Sequence, residues 1–138
     1  MSNRRDKLFV YGTLRNSMRN RFAELLSRSG QLLGHGTVSG NLYQIEDYPG
    51  LVRSASTRDR VQGEIYLIRQ PQVWRVLDDY EGCGPRDKPP YEFEREDVMV
   101  TMDNGTLVPA AAYVYCGPIR EKSKIASGDF LAHSGERT

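Results

Sequence analysis

The chain has little of what marks the specialised protein classes. It carries two cysteines in 138 residues, Cys83 and Cys116, and they form no C-x-x-C pair. That excludes a disulfide-rich secreted framework, and both read as free thiols of a reducing compartment. Its two histidines, His35 and His133, match no metal-ligand spacing, so no metal is expected. Neither sign of charge dominates: 19 Lys and Arg against 18 Asp and Glu leave a formal net charge of +1. A balance of that kind gives no electrostatic footing for nucleic acid. No apolar run approaches the roughly 18 residues a spanning helix needs, and no basic-apolar-small leader opens the chain. The expectation is a cytoplasmic protein without membrane or nucleic-acid partners. Residues 1–138 are expected to form one domain, long enough to bury a core without staples.

What is present is short elements separated by glycine and proline. Lys7–Tyr11 is an apolar run entering a glycine turn and reads as a buried first strand. Phe22, Leu25 and Leu26 at helical spacing predict a helix over about 19–29, with Gly30 as its C′ stop. A β-rich stretch runs from Gln31 to Ile45, with Val38, Leu42 and Ile45 inward, and Tyr48-Pro49-Gly50 predicts a turn. Val61–Ile68 alternates, with Glu64 and Tyr66 opposite Val61, Gly63, Ile65 and Leu67, as in a half-buried strand. Pro71 opens a second helix whose stripe is Val73, Val76, Leu77 and Tyr80 and whose stop is Gly82. Tyr91–Met102 is strand-like, and the change of apolar parity between Phe93 and Val98 predicts a bulge or twist. Asp103-Asn104-Gly105 is a hairpin signal, and Leu107–Tyr115 returns as its partner, with Pro109 at an edge or bulge. The order describes an α+β domain with a mainly β core and two short helices.

Two places could carry chemistry. At about 100° per residue, Glu81 falls near the edge of the Val73/Leu77 stripe, while Asp78 and Asp79 lie further round toward solvent. Glu81 also stands in the last helical turn, where the helix dipole disfavours negative charge and raises a carboxyl pKa. On pattern alone it is equally a surface glutamate before a stopping glycine. The second place is Tyr11–Leu14, where a strand runs into a glycine turn and leaves backbone amides without ladder partners. Such amides make an anion-binding nest, and equally a tight turn with no ligand.

The segment Leu8-Phe9-Val10-Tyr11-Gly12-Thr13-Leu14-Arg15 resembles the start of the γ-glutamylcyclotransferase-like superfamily. Further segments agree in order: Tyr48-Pro49-Gly50-Leu51-Val52, Val61-Gln62-Gly63-Glu64-Ile65-Tyr66, Leu77-Asp78-Asp79-Tyr80-Glu81-Gly82, Ala112-Tyr113-Val114-Tyr115 and Ser127-Gly128-Asp129-Phe130. The resemblance covers about residues 7–131. One position departs from it: Phe93 stands in Phe93-Glu94-Arg95 where the family often has tyrosine. The fold it implies is a small mixed β-barrel flanked by short helices, with a cavity beside the first turn.

The reaction it implies is cyclisation of a γ-glutamyl amide, a small-molecule substrate, to 5-oxoproline with release of the amine, without a cofactor. Glu81 would be the general acid and base, and Tyr11, Gly12, Thr13 and Leu14 would bind substrate and oxyanion. Gly50 and Tyr115 are candidates for the pocket wall. Cys83 has no partner histidine and is not expected to act as a nucleophile. The alternatives are a non-catalytic small-molecule binding module on the same fold, or a related amide-processing enzyme.

Overall fold

A computed structural model describes residues 6–12, 21–45, 48–54, 56, 58–84, 87–119 and 123–130. The elements in chain order are β1 (Lys7–Val10), α1 (Arg21–Ser29), β2 (Gln31–Gln44), β3 (Pro49–Arg53), β4 (Arg60–Leu67), α2 (Pro71–Glu81), β5 (Phe93–Met102), β6 (Leu107–Tyr115) and β7 (Lys124–Ile125).

The strands β1, β4, β2, β5 and β6 form a closed ring. Four of its joints are antiparallel, and the ring shuts where β1 meets β6 in parallel, at Leu8 and Ala111. β3 lies between β2 and β6, antiparallel to the first and parallel to the second, and β7 adds to β2. This is the expected α+β arrangement, a small mixed β-barrel with two short helices.

Successive side chains on a strand point to opposite faces, and β1 uses both. Phe9 joins the barrel interior with Val38, Leu42, Leu51, Val61, Ile65, Val98 and Val100. Leu8 and Val10 face outward into a second core with Leu26 of α1, Val73, Trp74 and Leu77 of α2, and Tyr113. The first strand is therefore the seam between two cores, which is why it reads as a continuous apolar run.

Several expectations are corrected by that double burial. β4 is buried on both faces, not one: Val61 and Ile65 fill the barrel, and Glu64 and Tyr66 are covered from outside. The parity change in β5 is not a bulge, because its register against β6 is unbroken from Phe93 to Thr101. One end of the strand buries Phe93 in the outer core, and the other buries Val98 and Val100 in the barrel. Tyr48-Pro49-Gly50 is not the turn itself; Pro49 and Gly50 already pair with Gln44 and Tyr43 in the β2–β3 hairpin. The stripe of α2 is Val73, Trp74 and Leu77, and Val76 and Tyr80 are exposed. Gly82 does end α2 in a left-handed conformation, φ +80°, with its N–H and that of Cys83 turned back on the carbonyls of Asp79 and Asp78. Gly30 follows α1 without a positive φ. No helix among the described residues is long and apolar enough to cross a membrane.

Candidate active site

Glu81 is the last residue of α2. It follows Val73 and Leu77 at intervals of four, so it shares their face and points the helix end at the outer side of β1 and β6. There it lines a cavity with Phe9, Val10, Tyr11, Gly12, Tyr48, Pro49 and Tyr113. The cavity is small, about 30 Å³, room for one or two waters. Burial of the carboxyl is the main reason its pKa is pushed up to about 8, and the negative charge of nearby Glu92 adds to it. The residue as a whole is half-buried, because it stands at a helix end. A carboxyl poised near neutrality can both accept and return a proton.

Tyr11 and Gly12 lie in the same lining, at the end of β1. The Tyr11 side chain is a structural tie. Its hydroxyl donates to the carbonyl of Tyr113 and accepts from the N–H of Leu51 at 3.2 Å. Burial, and then the charge of Glu81, hold that phenol protonated, well above the usual tyrosine range. Gly12 is there for close packing: a Cβ would lie 2.6 Å from Cγ of Pro49. Thr13 and Leu14, the other half of the expected cradle, fall outside the described residues.

The two further pocket candidates stand behind the wall, not in it. Gly50 is pressed against the Tyr115 ring, where a Cβ would meet Cβ of Tyr115 at 2.8 Å. Tyr115 packs edge-on to Phe93 with centroids 5.5 Å apart, and its hydroxyl donates to the Pro118 carbonyl at 3.0 Å. The Tyr48 ring lies 6.0 Å from that of Phe93, and its hydroxyl donates to Glu92 at 2.6 Å. Phe93 thus sits inside an aromatic row whose Tyr48 end lines the cavity.

The residues missed from the sequence are Tyr48, Pro49 and Tyr113. Each lay inside a singled-out segment, and Tyr113 shares its face of β6 with Tyr115. Asp78 is also corrected. It does not face solvent: its side chain is 19% exposed, accepts from the Tyr113 hydroxyl at 2.7 Å and pairs with Arg95 at 3.3 Å.

Cys83 lies just past α2, and its thiol is pushed up to about 11, first by burial and then by the charge of Asp78. It stays protonated at neutral pH, which suits packing better than attack. Away from the cavity, Glu94, Glu96 and Cys116 bring ligand-type atoms within 4.8 Å of one another. Glu96 is already paired with Arg53 at 3.3 Å.

The ties make a testable statement about Tyr11. Tyr11→Phe removes a hydroxyl that serves two buried backbone groups, and stability should fall by about 2 kcal/mol. Urea unfolding of the two proteins measures it; an unchanged midpoint would show that the hydroxyl carries no structural load.

A family model described as gamma-glutamyl cyclotransferase, AIG2-like, matches residues 8–132. Among curated proteins nothing matches. Among solved structures, the AIG2-like protein of Mus musculus is similar at 26% identity and TM-score 0.66, over 86% of this chain and 81% of that one. An uncharacterised protein of Pyrococcus horikoshii shares the fold at 21% identity and TM-score 0.68, over 96% and 95%. YkqA of Bacillus subtilis shares it at 24% identity and TM-score 0.72, but this chain spans only 42% of that protein.

Proposed function

We propose that this chain, which belongs to the gamma-glutamyl cyclotransferase, AIG2-like family, converts a γ-glutamyl amide to 5-oxoproline and a free amine. The substrate's own α-amine attacks its γ-carbonyl carbon. A carbon–nitrogen bond forms to close the five-membered lactam, and the bond to the departing nitrogen breaks. Both reactants belong to one molecule, so the protein's first task is to hold the folded conformer. Its second is proton traffic. The Glu81 carboxylate takes the proton from the attacking amine and returns it to the leaving nitrogen. Its third is charge, a role assigned to the Tyr11–Leu14 turn, where one donor to the developing oxyanion would be worth about 3 kcal/mol, as in comparable sites.

The observation that carries this reading is the shared cavity, which at about 30 Å³ has room for the reacting atoms and not for a whole substrate. Glu81 and Gly12 come from elements far apart in sequence and line the same small space, where burial keeps the carboxyl near neutrality. A pure binder of anionic ligands would gain nothing from a carboxyl there. No cofactor enters the scheme.

The test is a panel of γ-glutamyl amino acids, peptides and amines, with 5-oxoproline assayed after incubation. At least one member should yield 5-oxoproline and amine in equal amounts. Thermal shifts without turnover would move the assignment to a non-catalytic binding module, and release of glutamate would move it to amide hydrolysis.

A further inference from the structure

Tyr113 lines one hollow and is bonded into the wall of another. On one side is the Glu81 cavity, which its ring helps to line. On the other is an open groove of about 570 Å³ between α2 and the outer face of β5 and β6. That groove carries the charged side chains of Arg69, Arg75, Asp78, Arg95 and Asp97 beside apolar ones such as Ile68 and Trp74. Tyr113 itself is 3% exposed. Its hydroxyl reaches the groove side, where it donates to Asp78 Oδ1 at 2.7 Å. Asp78 is held in turn by Arg95 at 3.3 Å, and the Arg95 guanidinium lies over the Trp74 ring, 4.9 Å from its centroid. Trp74 is fixed through its indole N–H, which donates to the Ile68 carbonyl at 3.2 Å.

We propose that Tyr113 is a partition that closes the Glu81 cavity against the groove, and that Asp78, braced by Arg95 on Trp74, is the latch that keeps it closed. A tyrosine ring in a wall can pivot about its side-chain torsions. A hydrogen bond to a charged acceptor is among the stronger ones and removes that freedom. The latch lies one helical turn before Glu81, so the helix end that aims the carboxyl also fixes the wall facing it. With the partition closed, groove water stays out and the carboxyl meets few solvent dipoles. With it unlatched, water from the groove solvates the carboxylate and the pKa falls. Tyr113, Asp78 and Arg95 are positioning residues here, not proton carriers. Their effect on turnover rests on the cyclotransfer reading; their effect on the carboxyl does not.

The test follows the Glu81 side-chain carboxyl carbon by NMR across pH, without substrate, in wild type, Tyr113→Phe, Asp78→Asn and the double variant. The resonance is assigned by its loss in Glu81→Gln. Tyr113→Phe keeps the ring and every charge, so a fall in its midpoint cannot be an effect of lost charge. Asp78→Asn nearly preserves shape, which keeps the test usable if larger changes do not fold. Both single variants should lower the midpoint by about one pH unit, a tenfold change in proton affinity. The double variant should match either single one, because the two groups act through one bond. Arg75→Ala, in the groove but outside the latch, should leave the midpoint in place. In turnover assays the acid limb of the kcat profile should move down by the same pH unit in both single variants, with KM little changed. Folded variants whose midpoint stays at the wild-type value would overturn the partition. A lowered midpoint in proteins that make no 5-oxoproline, wild type included, would leave the partition standing and overturn the reaction.

Discussion

Replacing Glu81 by glutamine should cut 5-oxoproline release at least about a hundredfold, within the span that removal of a general acid–base group usually covers. The same change should stabilise the protein, and the sign follows from the pKa. The native carboxyl sits near 8, against an ordinary value of 4.5. Below the ordinary value both folded and unfolded chains hold the proton, and the group has no effect on stability. As pH rises past it, the unfolded chain ionises while the native one does not, and stability is lost until the pH reaches the native pKa. Glutamine has no such titration. Its advantage should be near zero at pH 4, grow through neutrality and level off above pH 8, at on the order of 3 kcal/mol after allowance for the part-exposed helix end. Urea unfolding of both proteins at pH 5 and pH 8 measures it. Wild-type turnover should fall about tenfold per pH unit below the native pKa, because less of the carboxyl is then available as a base. Activity that survives Glu81→Gln would remove this residue from the chemistry, and a stability gap that does not grow with pH would remove the raised pKa.

Gly63→Ala should cost about 3 kcal/mol, the upper part of the usual range for overpacking. A Cβ on Gly63 would lie 2.3 Å from the Val10 carbonyl oxygen and 2.6 Å from Cζ of Phe9. The first contact is with backbone in a paired strand and cannot rotate away, so β1 has to part from β4. That parting begins one residue before Tyr11, and the site should suffer with the fold. Expected results are a clear drop in unfolding midpoint and loss of 5-oxoproline release beyond what the unfolded fraction explains. Gly105→Ala is the useful contrast. It has open space around it but a φ of +87°, so it should cost only about 1 kcal/mol and leave the site alone. Equal effects at the two glycines would mean that the close approach of β4 to β1 is not what Gly63 is for.

Much of the site was legible because its parts lie at the ends of regular elements. The spacing of Val73, Leu77 and Glu81 puts the glutamate on the buried face, and α2 does run to Glu81 and stop at Gly82. Periodicity places the stripe one position off, toward Val76 and Tyr80, because it locates an apolar face and not the neighbour it meets; Trp74 is the residue buried with the side chains of β5 and β6. The same limit puts Asp78 toward solvent on the helical wheel. Its burial depends on Tyr113 and Arg95, on strands more than a dozen residues away. Tyr115 is the pocket candidate the sequence offers and Tyr113 shares its face of β6, but the position of the α2 end decides which ring reaches the cavity. The bulge or twist expected in β5 comes from reading one buried face where the strand has two, and the unbroken register excludes the bulge. The singled-out segments turn out to be pieces that touch. Tyr11 bonds to Leu51 and Tyr113, Gly12 packs on Pro49, Gly63 lies under Val10, and Gly128 accepts from Gln62 at 2.7 Å.

The most direct measurement is to run the reaction in water enriched in oxygen-18 with wild type and Glu81→Gln and to follow products by mass spectrometry. Cyclisation takes no atom from solvent, so wild type should give 5-oxoproline without label and an equal amount of amine, and Glu81→Gln should give almost none. Glutamate carrying one oxygen-18, or unlabelled 5-oxoproline formed as fast by Glu81→Gln as by wild type, would contradict the account.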